Sequence, residues 1–334
     1  MTQQGTSVHK RKVIVIGSSA GGVNAVRELA AMLPRNFEAA IFVVQHVQSE
    51  TKSFLPKILS DAGPLKATHA INGELITDGH IYVAPPDHHM LLDGSWIIIS
   101  KGPKENNFRP SIDATMRSAA YWYGPDVIGV ILTGRLSDGT SGLWTIKEMG
   151  GIAIVQDPAD ASFASMPESV LAAMEVDYQV KLRDLGALLT NLVQSDRAGK
   201  TRVFPDKDRL KTEIAIAAQK SAFENGIIQM GDATNLTCPE CGGSLVSIRE
   251  GRSVRYRCHT GHSFSRSSLW QSIVEMTEAA LWQAVRRLEE GIILAEQAAS
   301  QIEHQGQHPE AEEYHRKARE LSDKSRRLLE LIYN

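Results

Sequence analysis

Apolar residues in the first 195 positions fall into short solid blocks separated by longer, periodically apolar stretches. "KVIVIG" (12–17), "AAIFVVQ" (39–45), "HIYVAP" (80–85), "VIGVILTG" (127–134) and "GIAIVQD" (151–157) are apolar at consecutive positions, as expected of strands covered on both faces. "GVNAVRELAAML", "SFLPKILSDAG", "IDATMRSAAYW" and "SGLWTIKEMG" repeat apolar residues three and four apart and predict helices between them. "HMLLDGSWIIIS" (89–100) predicts an added hairpin turning at Asp93-Gly94. Alternation of this kind predicts an α/β domain over residues 12–195, a doubly wound, mostly parallel sheet that ends after the helical "LRDLGALLTNLV".

Beyond it the pattern changes. Residues 1–11 read as a disordered tail, and 196–232 as a polar, Pro-containing linker followed by a helix, "KTEIAIAAQKSAFENG". Residues 233–266 hold every cysteine of the chain, and 267–334 carry two long helical patterns. One stripe runs from Trp270 through Val285 to Ile302 and the other from Tyr314 through Leu321 to Ile332, with "HQGQHPEA" between them. This predicts a helical hairpin with one apolar stripe per helix.

Composition narrows the function classes. The net charge of −3 across 334 residues gives no footprint for nucleic acid. No apolar run approaches the roughly 20 residues of a spanning helix, and "VIVI" is shorter than the roughly seven residues of a secretory core. The expectation is a cytoplasmic protein that does not insert into a membrane.

The first strand runs into "IGSSAGG". It lacks the second glycine of a dinucleotide fingerprint, where Ser19 stands, and the lysine of a P-loop. Gly17-Ser18-Ser19-Ala20-Gly21 does fit G-x-S-x-G, which lifts its central serine onto a sharp strand-to-helix turn. Ser18 competes as nucleophile, and the spacing to Gly21 favours Ser19. A serine needs a base, and the base an orienting carboxylate. In open α/β sheets such groups gather at the carboxyl ends of strands. His46 ends "FVVQH", and Asp138 follows "VILTGRLS". Asp138 alone reads as an N-cap of the helix after it; with Ser19 and His46 it completes a triad. The N–H groups near Ala20 and in the Arg135 loop are the candidate oxyanion donors, and Arg109 is a candidate guide for an acidic partner surface.

"IGSSAGG", "VVQH", "IYVAPPDHH", "RPSID", "VILTG…DG" and "GGIAIVQDP" together resemble the catalytic domain of CheB-type protein-glutamate methylesterases, over residues 13–180. The resemblance implies Ser19 as nucleophile, His46 as general base and Asp138 as its orienting partner. It implies hydrolysis of glutamyl methyl esters on a methylated chemoreceptor or receptor-like signalling protein, with glutamine deamidation as a second activity. A methyltransferase is the implied counterpart, and no cofactor enters the chemistry. With the first strand near residue 12, the receiver domain of response-regulator members is not expected. Arg135 and Leu136 stand where many relatives carry a methionine-glycine pair. The rival readings are a non-catalytic signalling scaffold and a small-molecule serine esterase.

Cys238 and Cys241 form a C-x-x-C knuckle, and "CHTGH" follows with Cys258, His259 and His262. Two thiolates from one knuckle and a Cys/His pair from a second complete a tetrahedral site. His262 fits as fourth ligand because C-x₃-H lets the chain loop round the ion, and the resemblance to single-domain methylesterases with such an extension also favours it. Four closed ligands imply one structural zinc, and a ribbon of this size needs the metal to fold.

Overall fold

The computed structural model describes residues 11–333 apart from 48–49, 51, 196–206, 220, 225 and 306. The tail read over residues 1–11 lies outside the described residues except for Arg11, as does the linker over 196–206. In chain order the first elements are β1 (Lys12–Ser18), α1 (Gly22–Met32), β2 (Ala39–Gln45), α2 (Leu55–Ala62), β3 (Lys66–His69), β4 (Glu74–Leu75), β5 (His80–Val83), β6 (His89–Asp93) and β7 (Trp96–Ser100). There follow α3 (Ile112–Tyr123), β8 (Val127–Ile131), α4 (Thr140–Glu148), β9 (Ile152–Gln156), α5 (Ser165–Ala173), β10 (Tyr178–Val180) and α6 (Leu182–Gln194). The chain then forms α7 (Lys207–Ala217), β11 (Asp232–Thr237), β12 (Ser244–Glu250), β13 (Ser253–Cys258), β14 (Ser263–Ser265), α8 (Arg266–His304) and α9 (His308–Tyr333).

Seven strands form one parallel sheet in the order β10-β9-β8-β1-β2-β5-β3. The solid apolar blocks are its central strands. Along β1, Val13 and Val15 enter the core on one face, Ile14 and Ile16 the core on the other, and all four are at most 1% exposed. Burying each such side chain contributes roughly 1.5–3 kcal/mol. From β1 near the centre of the sheet the chain passes to β2 and on to the edge strand β3, returns to β5 between them, then crosses to β8 on the other side of β1. The winding reverses between β1 and β8, and beside that point a cavity opens past the carboxyl ends of β1 and β2, the crevice of the sheet.

The hairpin is present, but its turn is Gly94-Ser95, because Asp93 still pairs with Trp96. Gly94 takes the positive φ, 58°. The helix expected over 211–226 instead spans Lys207–Ala217 and stops before Gln219, whose φ is 66°. The edge strands β3 and β10 were not predicted; both are short, and "KATH" and "YQV" have no apolar block to announce them.

The cysteine segment is a four-stranded antiparallel ribbon, β11-β12-β13-β14. It lies in the same compact unit as the α/β domain, Met1–Leu269, and Trp270–Asn334 forms the other unit. Within that second unit the hairpin is antiparallel. Trp282 meets Tyr333 edge to face, and Glu303 pairs with His315.

Six buried charges join ribbon, α7 and α/β domain. Arg257 on β13 reaches Glu105 (2.8 Å) and Glu213 of α7 (3.1 Å); Arg255 reaches Glu213 (2.7 Å) and Glu250 (2.6 Å); Arg117 of α3 pairs with Glu105 and with Glu213 (3.3 Å). All six are at most 4% exposed, so charge balance is a condition of their burial. Burial pushes the Glu213 carboxyl up, but Arg255, Arg257 and Arg117 pull it down to about 2. Glu105 is held well below the usual carboxylate range by Arg117 and Arg257, again against the effect of burial. A carboxylate depressed in the folded state contributes stability that is complete above its unfolded pKa and is lost as pH falls through the folded value. The melting temperature, followed by circular dichroism, is therefore expected to fall as pH drops from about 5 to about 2, and to fall less steeply in Glu213→Gln. A wild-type melting temperature flat across that window contradicts an ionised network.

Candidate functional site

β1 delivers Ser18 and Ser19 to the crevice in different ways. The Ser18 side chain points inward, and its Oγ donates to Gln45 Oε1 at 2.7 Å in a fully buried contact. Ser19 is half-buried and lines the cavity at the carboxyl end of the sheet with Ala20, His46, Val47, Asp87, Lys104, Asn107, Phe108 and Arg109. The turn that exposes it depends on its glycines. Gly21 has a φ of 75°, and a Cβ on Gly17 would meet Ile112 at 2.4 Å. Gln45 braces the turn, donating from Nε2 to the carbonyls of Ser19 (2.8 Å) and His46 (3.0 Å). On the other side the Ser19 N–H donates to Thr133 O at 3.1 Å.

His46 leaves the end of β2 with its side chain 4% exposed. Its Nε2 lies 2.8 Å from Asp138 Oδ2, and the ring stacks on Phe108 with centroids 3.6 Å apart and planes 9° off parallel. A carboxylate accepts, so Nε2 carries the proton and Nδ1 holds a free lone pair. Nδ1 is buried and has no hydrogen-bond partner among the described residues. Ser19 Oγ makes no hydrogen bond to it among the described residues; hydroxyl and imidazole meet as walls of one cavity. Contacts of this kind are often long before substrate binds.

Asp138 is fully buried. It does not cap α4, whose N-cap position is Gly139. Its acceptors lie instead at the N-terminus of α3, where Oδ2 takes the Ile112 N–H (2.7 Å) and Oδ1 the Asp113 N–H (3.3 Å) and the Ser111 hydroxyl (2.9 Å). With His46 counted, Asn106 Nδ2 adds a fifth donor to the same oxygens, at 3.0 Å. Burial alone pushes the carboxyl up; the bond from His46, the Ile112 N–H and Asn106 outweigh it and hold the group below its ordinary range. Asp113 is the opposite case. Burial first, and then the Asp138 charge, push it up to about 8. Two neighbouring carboxyls thus divide into a firm anion and a proton holder.

One expectation is revised. Arg109 is no free guide: its Nη2 and Nε bond Asp87 Oδ1 at 2.7 and 2.9 Å, and Nη1 bonds Gly102 O at 2.9 Å. It braces the cavity wall. Leu136 takes a φ of 67°, a region costly for a branched side chain. Ser165 and Ser169 hold its backbone there, Ser165 Oγ accepting the Leu136 N–H and both hydroxyls donating to its carbonyl. Of the N–H groups expected to face an oxyanion, those of Gly134 and Leu136 are already bonded, to Phe163 O and Ser165 Oγ. Those of Ala20 and Arg135 have no acceptor among the described residues. Gln45, Asn106, Phe108 and Ser111 were not foreseen. The one signal for Asn106 is the "NN" of "KENNFRPSID", since adjacent asparagines suit the positive φ of 52° and 72° that they adopt.

In the ribbon, Cys238, Cys241, Cys258 and His262 bring their ligand atoms within 4.8 Å of one another. Cys241 and Cys258 sulfurs are 3.6 Å apart, and His262 Nδ1 lies 3.7 and 3.5 Å from Cys238 and Cys258 Sγ. A tetrahedron with Zn–S of about 2.3 Å and Zn–N of about 2.0–2.1 Å has S···S edges of about 3.8 Å and S···N edges of about 3.5 Å. The cluster is thus able to hold a metal ion, and its dimensions fit zinc. His259 packs its ring against Gly243, where a Cβ would meet it at 2.1 Å, and is outside the set.

The described residues form no helix long and apolar enough to cross a membrane. Comparison with known proteins returns one consistent answer for the domain that holds the crevice. The model of the CheB methylesterase family matches residues 14–189. A Leptospira interrogans protein assigned the double name protein-glutamate methylesterase/protein-glutamine glutaminase is 41% identical over 186 residues, 55% of this chain and 96% of that one. The Thermotoga maritima protein of the same double name is 36% identical over 54% of this chain, which spans about half (54%) of that relative's length. The crystal structure of the Thermotoga maritima CheB methylesterase catalytic domain superposes with a TM-score of 0.53 at 35% identity, covering 55% of this chain and 98% of that one. A match across more than half the chain in sequence, carried through to the backbone of the same sheet, places this chain in the CheB methylesterase family.

Proposed function

We propose that the chain is a protein-glutamate methylesterase, with glutamine deamidation as a second reaction, acting in the cytoplasm on methylated chemoreceptor-like proteins. The observation that carries this reading is the buried, unpartnered His46 Nδ1 on a ring that shares a cavity with Ser19 and is anchored through Nε2 by Asp138. Ser19 Oγ attacks the ester carbonyl carbon while Nδ1 takes its proton. The N–H groups of Ala20 and Arg135 hold the oxyanion. His46 passes the proton to the departing methoxide, which leaves as methanol, then draws a proton from water as its oxygen attacks the acyl-serine. The acyl carbon–Oγ bond then breaks, His46 returns the proton to Ser19 Oγ, and glutamate and free Ser19 are the products; from glutamine, ammonia leaves in place of methanol. Positioned acid–base help accounts for roughly 10²–10⁴-fold and each oxyanion donor for roughly 10²–10³-fold.

The test is methanol release from a methylated receptor segment. Ser19→Ala is expected to abolish release above background and also labelling by a serine-reactive phosphonate. Unchanged release in Ser19→Ala sinks the reading. Labelling at Ser19 without receptor turnover replaces it with a small-molecule esterase.

Cys238, Cys241, Cys258 and His262 are proposed to hold one structural zinc, which supplies folding energy to the ribbon and takes no part in the hydrolysis. Freshly purified protein is expected to contain one zinc per chain by atomic emission. A value well below one overturns the assignment.

A further inference from the structure

The ribbon meets the α/β domain beside the carboxylate proposed to orient His46. Asn106 is 1% exposed and uses all four hydrogen-bonding positions of its side-chain amide. Its Oδ1 accepts from the Ser265 N–H (2.8 Å) and the Ser268 hydroxyl (3.1 Å); its Nδ2 donates to Asp138 Oδ1 (3.0 Å) and Asp113 Oδ2 (2.9 Å). One end of the amide belongs to the ribbon and the first turn of α8, the other to the two buried carboxyls.

The two ends of an asparagine amide are nearly the same size, so its surroundings decide which way it faces. Here both sides give the same answer. Turned over, the amide would set Oδ1 against the Asp138 carboxylate and its NH₂ against the Ser265 N–H. The Ser265 N–H, in β14, is therefore part of what aims Nδ2 at Asp138. The backbone agrees: Asn106 N–H donates to Ser263 O at 2.7 Å, and Ser263 N–H returns to Lys104 O at 3.2 Å. A second strap runs beside it, from Ser137 Oγ to the hydroxyls of Ser265 (2.7 Å) and Ser267 (3.0 Å), one residue before Asp138. β14 begins immediately after His262, so the residue proposed to complete the zinc site and the strand that orients Asn106 are contiguous.

We propose that Asn106 is a positioning residue for hydrolysis, and that the zinc ribbon through Ser265, with Ser268 in the first turn of α8, sets its orientation and thereby the hold of Asp138 on His46. This rests on the triad reading given above. The ribbon is on that account a working part of the catalytic centre. With Asn106 misdirected, Asp138 loses a donor and its neighbour Asp113 loses another, water enters beside the pair, and the imidazole is no longer fixed in one tautomer and plane. Substrate binding is untouched, so the loss falls on kcat and not on KM.

The test uses the full-length, zinc-loaded protein. Asn106→Ala is expected to lower kcat for methanol release roughly 10- to 100-fold, as for loss of a hydrogen bond to a charged group, with KM within about twofold. The far-downfield proton resonance of the His46 Nε2–H, present in the wild type, is expected to shift or broaden. Ser268→Ala, which removes one hydroxyl and cannot unfold the domain by loss of volume, is expected to move the same resonance and lower kcat by a smaller factor. Asp138→Asn separates the possible failures. If Asp138→Asn retains full activity, the triad reading falls. If Asp138→Asn is inactive while Asn106→Ala and Ser268→Ala keep wild-type kcat and an unmoved resonance, the triad stands and this proposal is overturned.

Discussion

Replacing Asp138 with Asn is expected to lower kcat by about 10⁴-fold, the scale of loss when the carboxylate of a triad becomes an amide, and to leave KM within a few-fold. The reason lies in the donors that surround this side chain. His46 Nε2–H, the Ser111 hydroxyl, the Ile112 and Asp113 N–H groups and Asn106 Nδ2 all point at its two oxygens. An asparagine brings an NH₂ of its own into that ring of donors. If the NH₂ faces Oδ1's partners, it opposes Ser111 and Asn106. If it faces His46, the imidazole must carry its proton on Nδ1, and the lone pair that would accept the Ser19 proton is gone. Either arrangement removes the base or its orientation, while the cavity walls at Lys104, Phe108 and Arg109 stay as they are. Steady-state methanol release at several substrate concentrations separates kcat from KM. A fall in both, or a fall of less than about tenfold in kcat, argues that Asp138 has a packing role only.

The parts of this site that were legible in the sequence share a cause. Ser19, His46 and Asp138 each follow an apolar block, and the carboxyl ends of parallel strands share one edge of the sheet whatever the helices do. The topology alone therefore gathers them. The clustering of Cys238, Cys241, Cys258 and His262 was legible because their spacing is local, two short turns that each bring two side chains to one point. Where partners are far apart in sequence, the pattern was silent. Arg255 and Arg257 sit two apart on β13, which reads as the solvated face of a strand, and Glu213 sits on a helix of low amphipathicity. Nothing in those stretches says that they meet Glu105 and Arg117 in a dry interface. The role of Asp138 as acceptor for α3, and not for the helix after it, was hidden for the same reason. Nothing in the hydrophobic pattern singles out Asn106, since its work is to join two segments more than 150 residues apart. The hairpin turn slipped by one residue because "DG" and "GS" both suit a two-residue turn, and only the register of Asp93 with Trp96 decides between them.

That dry interface carries the second large effect. Arg257→Met is expected to destabilise the unit Met1–Leu269 by roughly 3–5 kcal/mol, the usual cost of leaving a buried charge without its partner. At roughly 2–4 °C per kcal/mol this is a fall of about 6–20 °C in melting temperature. Arg257 is 0% exposed and bridges Glu105 and Glu213 with one nitrogen, Nη2, while Nη1 holds the Gly261 carbonyl in the turn between Cys258 and His262. Methionine fills much of the same volume, so the loss reports charge and not a cavity. Glu105 would keep only Arg117, and Glu213 would keep Arg255, Arg117 and the less buried Arg209 at 3.8 Å, so among the six buried charges three acids would face two arginines. Pairing Arg257→Met with Glu105→Gln restores the count, and the double variant is expected to be more stable than the sum of the single losses allows, by at least about 1 kcal/mol. Hydrogen exchange sharpens the test, because it shows where the protein opens. Protection is expected to fall first across β13 and β14 and at the Asn106 amide, with the seven-stranded sheet protected as before. Loss spread evenly over the sheet, or strict additivity of the two substitutions, would show that the six charges do not act together in holding the ribbon to the crevice.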